Sequence, residues 1–148
     1  MTDRVVFNHV GLCVTDLDRS RRFYVELLGF EPWREINPPD DLSAKLLRLK
    51  APLGMTACYL RRDGFVLELL HFAEYETLGT GDPRVMNERG LTHLSLSIDI
   101  DRVLPRVAEF GGEVLDDTNI GHGVFIRDPD GQLVELLPLA YAEGVRTD

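Results

Sequence analysis

One feature constrains the fold of this chain more than any other: it is written twice. Phe7-Asn8-His9-Val10-Gly11-Leu12-Cys13-Val14 resembles Leu91-Thr92-His93-Leu94-Ser95-Leu96-Ser97-Ile98. Each segment reads apolar, polar, histidine, then alternates, and each runs through an Asp-containing stretch into a helical pattern that stops at glycine. Further on, Asp63-Gly64-Phe65-Val66-Leu67-Glu68-Leu69-Leu70 matches Asp130-Gly131-Gln132-Leu133-Val134-Glu135-Leu136-Leu137. The Asp-Gly turns and the glutamates share an offset of 67 residues, whereas the histidines are 84 apart. The first copy therefore holds more chain between its His and its Glu. Self-similarity of this kind predicts two copies of one supersecondary unit that bury a core by pairing.

Period and punctuation give each copy a β-α-β-β-β order. In the first, residues 5–14 alternate as a strand. Residues 17–28 form a helix capped by Thr15 or Asp16, with Phe23/Leu27 and Tyr24/Leu28 at helical spacing and Gly29 as its stop. A strand over 30–36 and a loop at 37–41 follow. Leu42, Leu46 and Leu49 fit a short helix over 42–50 better than a strand. A hairpin of 55–61 and 65–72 turns at Asp63-Gly64. In the second copy, strands are expected at 92–98, near 113–115, at 124–127 and at 132–138. A helix over about 101–110 carries Pro105 in its first turn and ends at Gly111-Gly112. The modules span 5–72 and 91–140 of a single 148-residue domain, with 73–90, holding Gly79, Gly81 and Pro83, as the linker.

Composition removes several function classes. Sixteen Lys and Arg against 25 Asp and Glu give a net charge of −9. No basic stripe of the kind that tracks a nucleic-acid backbone is visible, so no nucleic-acid partner is expected. No apolar run approaches the ~20 residues that span a bilayer. MTDRVVFNHV holds no apolar signal core, which argues against secretion and for a cytoplasmic protein. The two cysteines, Cys13 and Cys58, show no metal or redox spacing and read as free, buried thiols.

The chemistry rests on four side chains. Alternation puts His9 on a face with Phe7, Gly11 and Cys13, and His93 with Leu91, Ser95 and Ser97. Glu68 and Glu135 each sit inside an apolar strand, where an unpartnered carboxylate is costly. Two histidines and two glutamates in matching slots suggest one shared partner. A divalent metal ion supplies it, because neutral imidazole and carboxylate are both ligands at neutral pH.

These residues carry a family resemblance that covers about residues 5–140. Asn-His-Val-Gly at 8–11, the Phe23-Tyr24 to Leu28-Gly29-Phe30 run, Leu-Glu-Leu-Leu at 67–70, Leu-Thr-His-Leu at 91–94 and Asp-Pro-Asp-Gly-Gln-Leu-Val-Glu-Leu at 128–136 resemble the vicinal oxygen chelate superfamily. That group includes glyoxalase I, methylmalonyl-CoA epimerase, extradiol dioxygenases and bleomycin- or fosfomycin-resistance proteins. The resemblance implies an α+β fold of two paired βαβββ modules whose curved sheets form a cleft, in a homodimer. It implies His9, Glu68, His93 and Glu135 as ligands of a divalent ion (Ni, Zn, Co, Mn or Fe). Four ligands from an octahedral set leave two positions for adjacent substrate oxygens, where a Lewis acid stabilises an enediolate. Glu135, with Glu68 as its counterpart, would also move the proton. The expected activity is a glyoxalase-like isomerase or lyase acting next to a carbonyl of a small molecule.

Two alternatives stay open at this point. Methylmalonyl-CoA epimerases place Gln where Glu68 stands and carry a second glutamate on the preceding strand. Here that strand reads Met55-Thr56-Ala57-Cys58-Tyr59-Leu60, without an acid. A non-catalytic ligand-binding or antibiotic-resistance protein would typically have lost the four-ligand set. Arg19, Arg21, Arg22, Arg61 and Arg62 could hold an acidic substrate, and Trp33 and Tyr59 could line a pocket. His122 could overhang the cleft, and His71, opposite Glu68, reads as a non-ligand.

Overall fold

The computed structural model describes residues 4–79 and 85–145. Part of the expected linker, including Gly81 and Pro83, lies outside them. The two copies build two four-stranded sheets of the same order, an α+β arrangement.

The first sheet runs β1 (Val10–Cys13), β4 (Phe65–Phe72), β3 (Met55–Arg62), β2 (Glu31–Ile36). β1 pairs parallel to β4, and the other ladders are antiparallel. The β3–β4 hairpin turns at Asp63-Gly64, where φ is 49° and 76°. A two-residue turn of this hand needs positive φ at both positions, which Asp tolerates and Gly adopts freely. β3 is interior, so Ala57, Cys58, Tyr59 and Leu60 are all buried. β1 is an edge strand and shorter than the alternation suggests. Its ladder starts at Val10↔Leu67, and residues 4–9 lie outside it. The edge position also corrects the reading of the cysteines: Cys58 is buried, but Cys13 is exposed.

The second sheet runs β5 (His93–Ser97), β8 (Leu133–Leu137), β7 (Val124–Arg127), β6 (Glu113–Leu115). Its expected helix is broken. An α-helical turn, α3 (Ile100–Val103), gives way to 3-10 turns at Leu104–Arg106 and Ala108–Phe110. Pro105 is the cause: it has no N–H to donate, and its ring collides with the carbonyl four residues back.

By compactness the chain divides into Met1–Leu17 with Phe30–Thr77, and Asp18–Gly29 with Leu78–Asp148. The long helix, α1 (Leu17–Arg22, continued by a π-helical turn at Phe23–Leu27), thus falls almost entirely in the second unit. Phe23 and Tyr24 are fully buried there. The Tyr24 hydroxyl donates to Asp128 Oδ2 at 2.7 Å, and Ser20 donates to Asp130 at 3.3 Å. Asp128 Oδ1 in turn accepts the backbone N–H groups of Asp130 and Gln132, closing the Asp-Pro-Asp-Gly turn. Two of the motifs that carry the family resemblance are therefore partners in one buried polar cluster. The second helix, α2 (Asp40–Leu47), does form, but it buries Ser43 and Ala44 and leaves Leu42 and Leu46 exposed.

Candidate functional site

The register of each sheet brings the expected residues together in pairs. Gly11 stands beside Glu68 on the parallel ladder, and Ser95 stands beside Glu135. Two residues before each lies the histidine. His9 Nε2 is 3.3 Å from Glu68 Oε1, and His93 Nε2 is 4.0 Å from Glu135 Oε1. The first pair lies in the first unit and the second pair in the second. Among the described residues, no group of three or more His, Cys, Asp or Glu side chains comes within metal-holding distance.

Both histidines are oriented from behind by the residue that precedes them. His9 Nδ1 donates to the Asn8 side-chain oxygen. His93 Nδ1 is 2.7 Å from the Thr92 hydroxyl, which can accept its proton. A proton held on Nδ1 leaves the Nε2 lone pair facing the glutamate, the tautomer a metal needs. An aromatic ring packs edge-on against each imidazole: Tyr59 on His9, at 5.7 Å between centroids, and Phe125 on His93, at 5.4 Å. The chemistry of each pair, an imidazole Nε2 beside a carboxylate, is of the kind that binds a divalent ion.

The two glutamates are held differently. Glu68 is nearly closed off, with 10% of its side chain exposed, whereas Glu135 keeps 29%. Tyr59, directly across the hairpin, hydrogen-bonds to Glu68. Burial of the phenol, together with that bond and the Glu68 charge, pushes its pKa up to about 12, with Arg34 acting in the opposite sense. Tyr59 is thus a permanent donor at ordinary pH. Phe125 occupies the matching place across from Glu135 and has nothing to donate. There the hydroxyl comes from the neighbouring strand: Ser95 donates to Glu135 Oε1 at 2.7 Å. The first copy has Gly11 at that position, and a Cβ there would lie 3.3 Å from Glu68 Oε1. Among the described residues, each carboxylate receives one hydroxyl, from a phenol in one copy and an exposed serine in the other.

The other histidines stand apart from these pairs. His71 Nδ1 lies 3.3 Å from the Val14 carbonyl, and His122 is exposed in a bend. Tyr59 was legible as a partner of Glu68 by counting back from the two-residue turn at Asp63-Gly64. Ser95 follows His93 by two residues, but its contact needs the parallel register, which no turn sets.

A lactoylglutathione lyase of Pseudomonas putida is 30% identical over 159 aligned residues, covering 92% of this chain and 86% of that protein. Among solved structures, a glyoxalase family protein from Bacillus cereus superposes with a TM-score of 0.76 at 19% identity, over 93% of this chain and 97% of that one. A fosfomycin resistance protein from Listeria monocytogenes, crystallised with Mn(II) and a dihydroxypropylphosphonic acid, superposes with a TM-score of 0.57 at 19% identity. It covers 90% of this chain and 91% of that one. These two show the shared fold. The sequence profile of one family matches residues 6–136, and the chain belongs to that family, the Glyoxalase/Bleomycin resistance protein/Dioxygenase superfamily.

Proposed function

We propose that this protein is a divalent-metal-dependent, glyoxalase-like isomerase that moves a proton between adjacent carbons of a small carbonyl substrate. The observation that carries the reading is the pair of His–Glu couples with Nε2 turned toward the carboxylate in each. Support comes also from the relative named lactoylglutathione lyase. The substrate class is the hemithioacetal of a 2-oxoaldehyde with a thiol. His9, Glu68, His93 and Glu135 would hold the ion. When bound, it would supply Lewis-acid stabilisation of negative charge on substrate oxygens.

The chain's own groups do the proton work. Glu135 is the base: it is the more open of the two carboxylates, and its one described hydroxyl donor is an exposed serine rather than a packed phenol. Its carboxylate takes the proton from the carbon that bears the thiol. The C–H electron pair becomes the carbon–carbon double bond of an enediolate as the carbonyl oxygen gains charge. Glu135 then returns the proton to the neighbouring carbon while the hydroxyl proton of the sulfur-bearing carbon passes to the neighbouring oxygen, giving a 2-hydroxy thioester with no net oxidation. Glu68, clamped by Tyr59, stays a ligand.

A homodimer fits the same reading. Val5, Val6 and Phe7 before β1, and Leu42 and Leu46 on α2, are each at least 68% exposed. Exposed apolar side chains such as these are what a subunit contact would cover.

Solvent deuterium exchange tests the assignment. Glu135→Gln keeps an oxygen for the ion but loses the basic carboxylate. It should lower exchange at the substrate carbon by on the order of 10²-fold or more. Glu68→Gln should keep most of it. Wild-type exchange in both variants would move the base elsewhere, with His122 as the next candidate.

A further inference from the structure

Beside the His9–Glu68 pair the first sheet departs from regular pairing. β2 and β3 pair as Glu31↔Arg61 and Pro32↔Leu60, then as Arg34↔Tyr59 and Glu35↔Cys58. Trp33 is the extra residue of a β-bulge. Without a bulge, Trp33 and Arg34 would point to opposite faces. With it, both lie over Tyr59. The Trp33 ring is 6.1 Å from the Tyr59 ring, edge-on, and the Arg34 guanidinium sits 4.5 Å over Trp33 and 4.9 Å over Tyr59. Arg61, two residues along β3 on the same face as Tyr59, lies 5.5 Å over the other ring, Trp33. Bulges commonly re-aim side chains beside active sites.

We propose that Trp33, Arg34 and Arg61 form an oxyanion-binding subsite that takes the carboxylate or phosphate end of the substrate's thiol carrier. Several observations converge on this. The chain is acidic overall, at −9, yet here two guanidiniums share one indole. Neither is in an ion pair among the described residues, even though Glu31 is the register partner of Arg61. Stacking fixes the guanidinium planes and leaves their edges for bidentate bonds to an oxyanion. Trp33 is 44% exposed, so the stack faces solvent rather than a core. Tyr59 is the link: its ring touches Trp33, Arg34 and His9, and its hydroxyl holds Glu68. Two residues along a strand span about 7 Å. The anionic end would therefore bind a few bonds away from the reacting carbonyl. That distance suits a thiol carrier with a charged tail and not a bare 2-oxoaldehyde.

The inference rests on the isomerase reading only in calling the ligand a substrate; binding itself can be measured without turnover. Trp33 is the chain's one tryptophan, so its emission reports on the subsite directly. Metal-stripped protein would be titrated with S-methylglutathione, whose charged ends are carboxylates, and with acetyl-coenzyme A, whose charged ends are phosphates. S-Methylglutathione esterified at both carboxylates is the control, and calorimetry gives an independent affinity. At least one anionic probe should shift Trp33 emission saturably, and its identity names the carrier chemistry. Arg34→Gln and Arg61→Gln should each weaken that probe about tenfold. The diester should bind no better to wild type than the acid does to the variants. The proposal is overturned if neither probe binds, or if both variants bind the probe as wild type does. If the arginines matter for binding while no hemithioacetal is isomerised, the subsite stands and the isomerase reading falls. If hemithioacetals turn over with a KM indifferent to both arginines, the reverse holds.

Discussion

At the scale of single residues, Tyr59 separates two glutamates that the repeat makes equivalent. A phenol that stays protonated to about pH 12 gives Glu68 a constant donor, whereas the hydroxyl on Glu135 is that of the exposed Ser95. Tyr59→Phe keeps the edge contact with His9 and removes the bond. Outer partners of metal ligands typically contribute 10–100-fold in affinity, so metal binding by the stripped protein should weaken by about tenfold or more. An unchanged affinity in Tyr59→Phe would show that the phenol packs without positioning Glu68. The four proposed ligand positions are readable from the duplication, because His9/His93 and Glu68/Glu135 sit in matching apolar contexts. What surrounds them is not, because the two copies solve the same problem with different residues: Tyr59 against Phe125, and Gly11 against Ser95.

At the scale of elements, the anchoring of α1 to the β7–β8 turn depends on a buried carboxyl. Burial pushes the Asp128 pKa above its ordinary 3.8, against the opposing effect of the Tyr24 hydroxyl and the backbone N–H groups of Gln132 and Asp130. A carboxyl with a raised folded pKa binds its proton more tightly in the native state. Its contribution is full below pH 3.8 and is lost as pH rises through the folded value. Urea midpoints of wild type and Asp128→Asn, compared from pH 3 upward, should show that loss in wild type alone; a constant difference would mean no shift. Tyr24, raised well above 10 by burial and then by Asp128, acts likewise at the alkaline end, holding its contribution below pH 10 and losing it above. Tyr24→Phe, which strips Asp128 of its phenol donor, should cost about 1–3 kcal/mol in denaturant unfolding. The order of elements in each copy follows from the sequence pattern, down to the Asp63-Gly64 hairpin. The pattern fails where an element's surroundings decide. Leu42 and Leu46 have helical spacing but face outward on α2, because periodicity shows that a stripe exists and not what covers it. The Trp33 bulge leaves no trace in alternation, since Trp33 and Arg34 are ordinary strand neighbours until β3 is laid beside them.

At the scale of the whole molecule, the net charge is −9, and among the described residues no helix is long and apolar enough to cross a membrane. Sedimentation at micromolar concentration should give twice the 16.7 kDa chain mass, and a stable monomer would count against the subunit contact. The central claim is that both His–Glu pairs serve one divalent ion. Calorimetric titration of chelator-stripped protein with nickel, zinc, cobalt, manganese and ferrous ions addresses it most directly. The account predicts stoichiometric binding of at least one of these ions, with affinity lost by 10²-fold or more in His9→Ala and in His93→Ala alike. No stoichiometric binding by wild type, or a His93→Ala variant that binds as tightly as wild type, would contradict it.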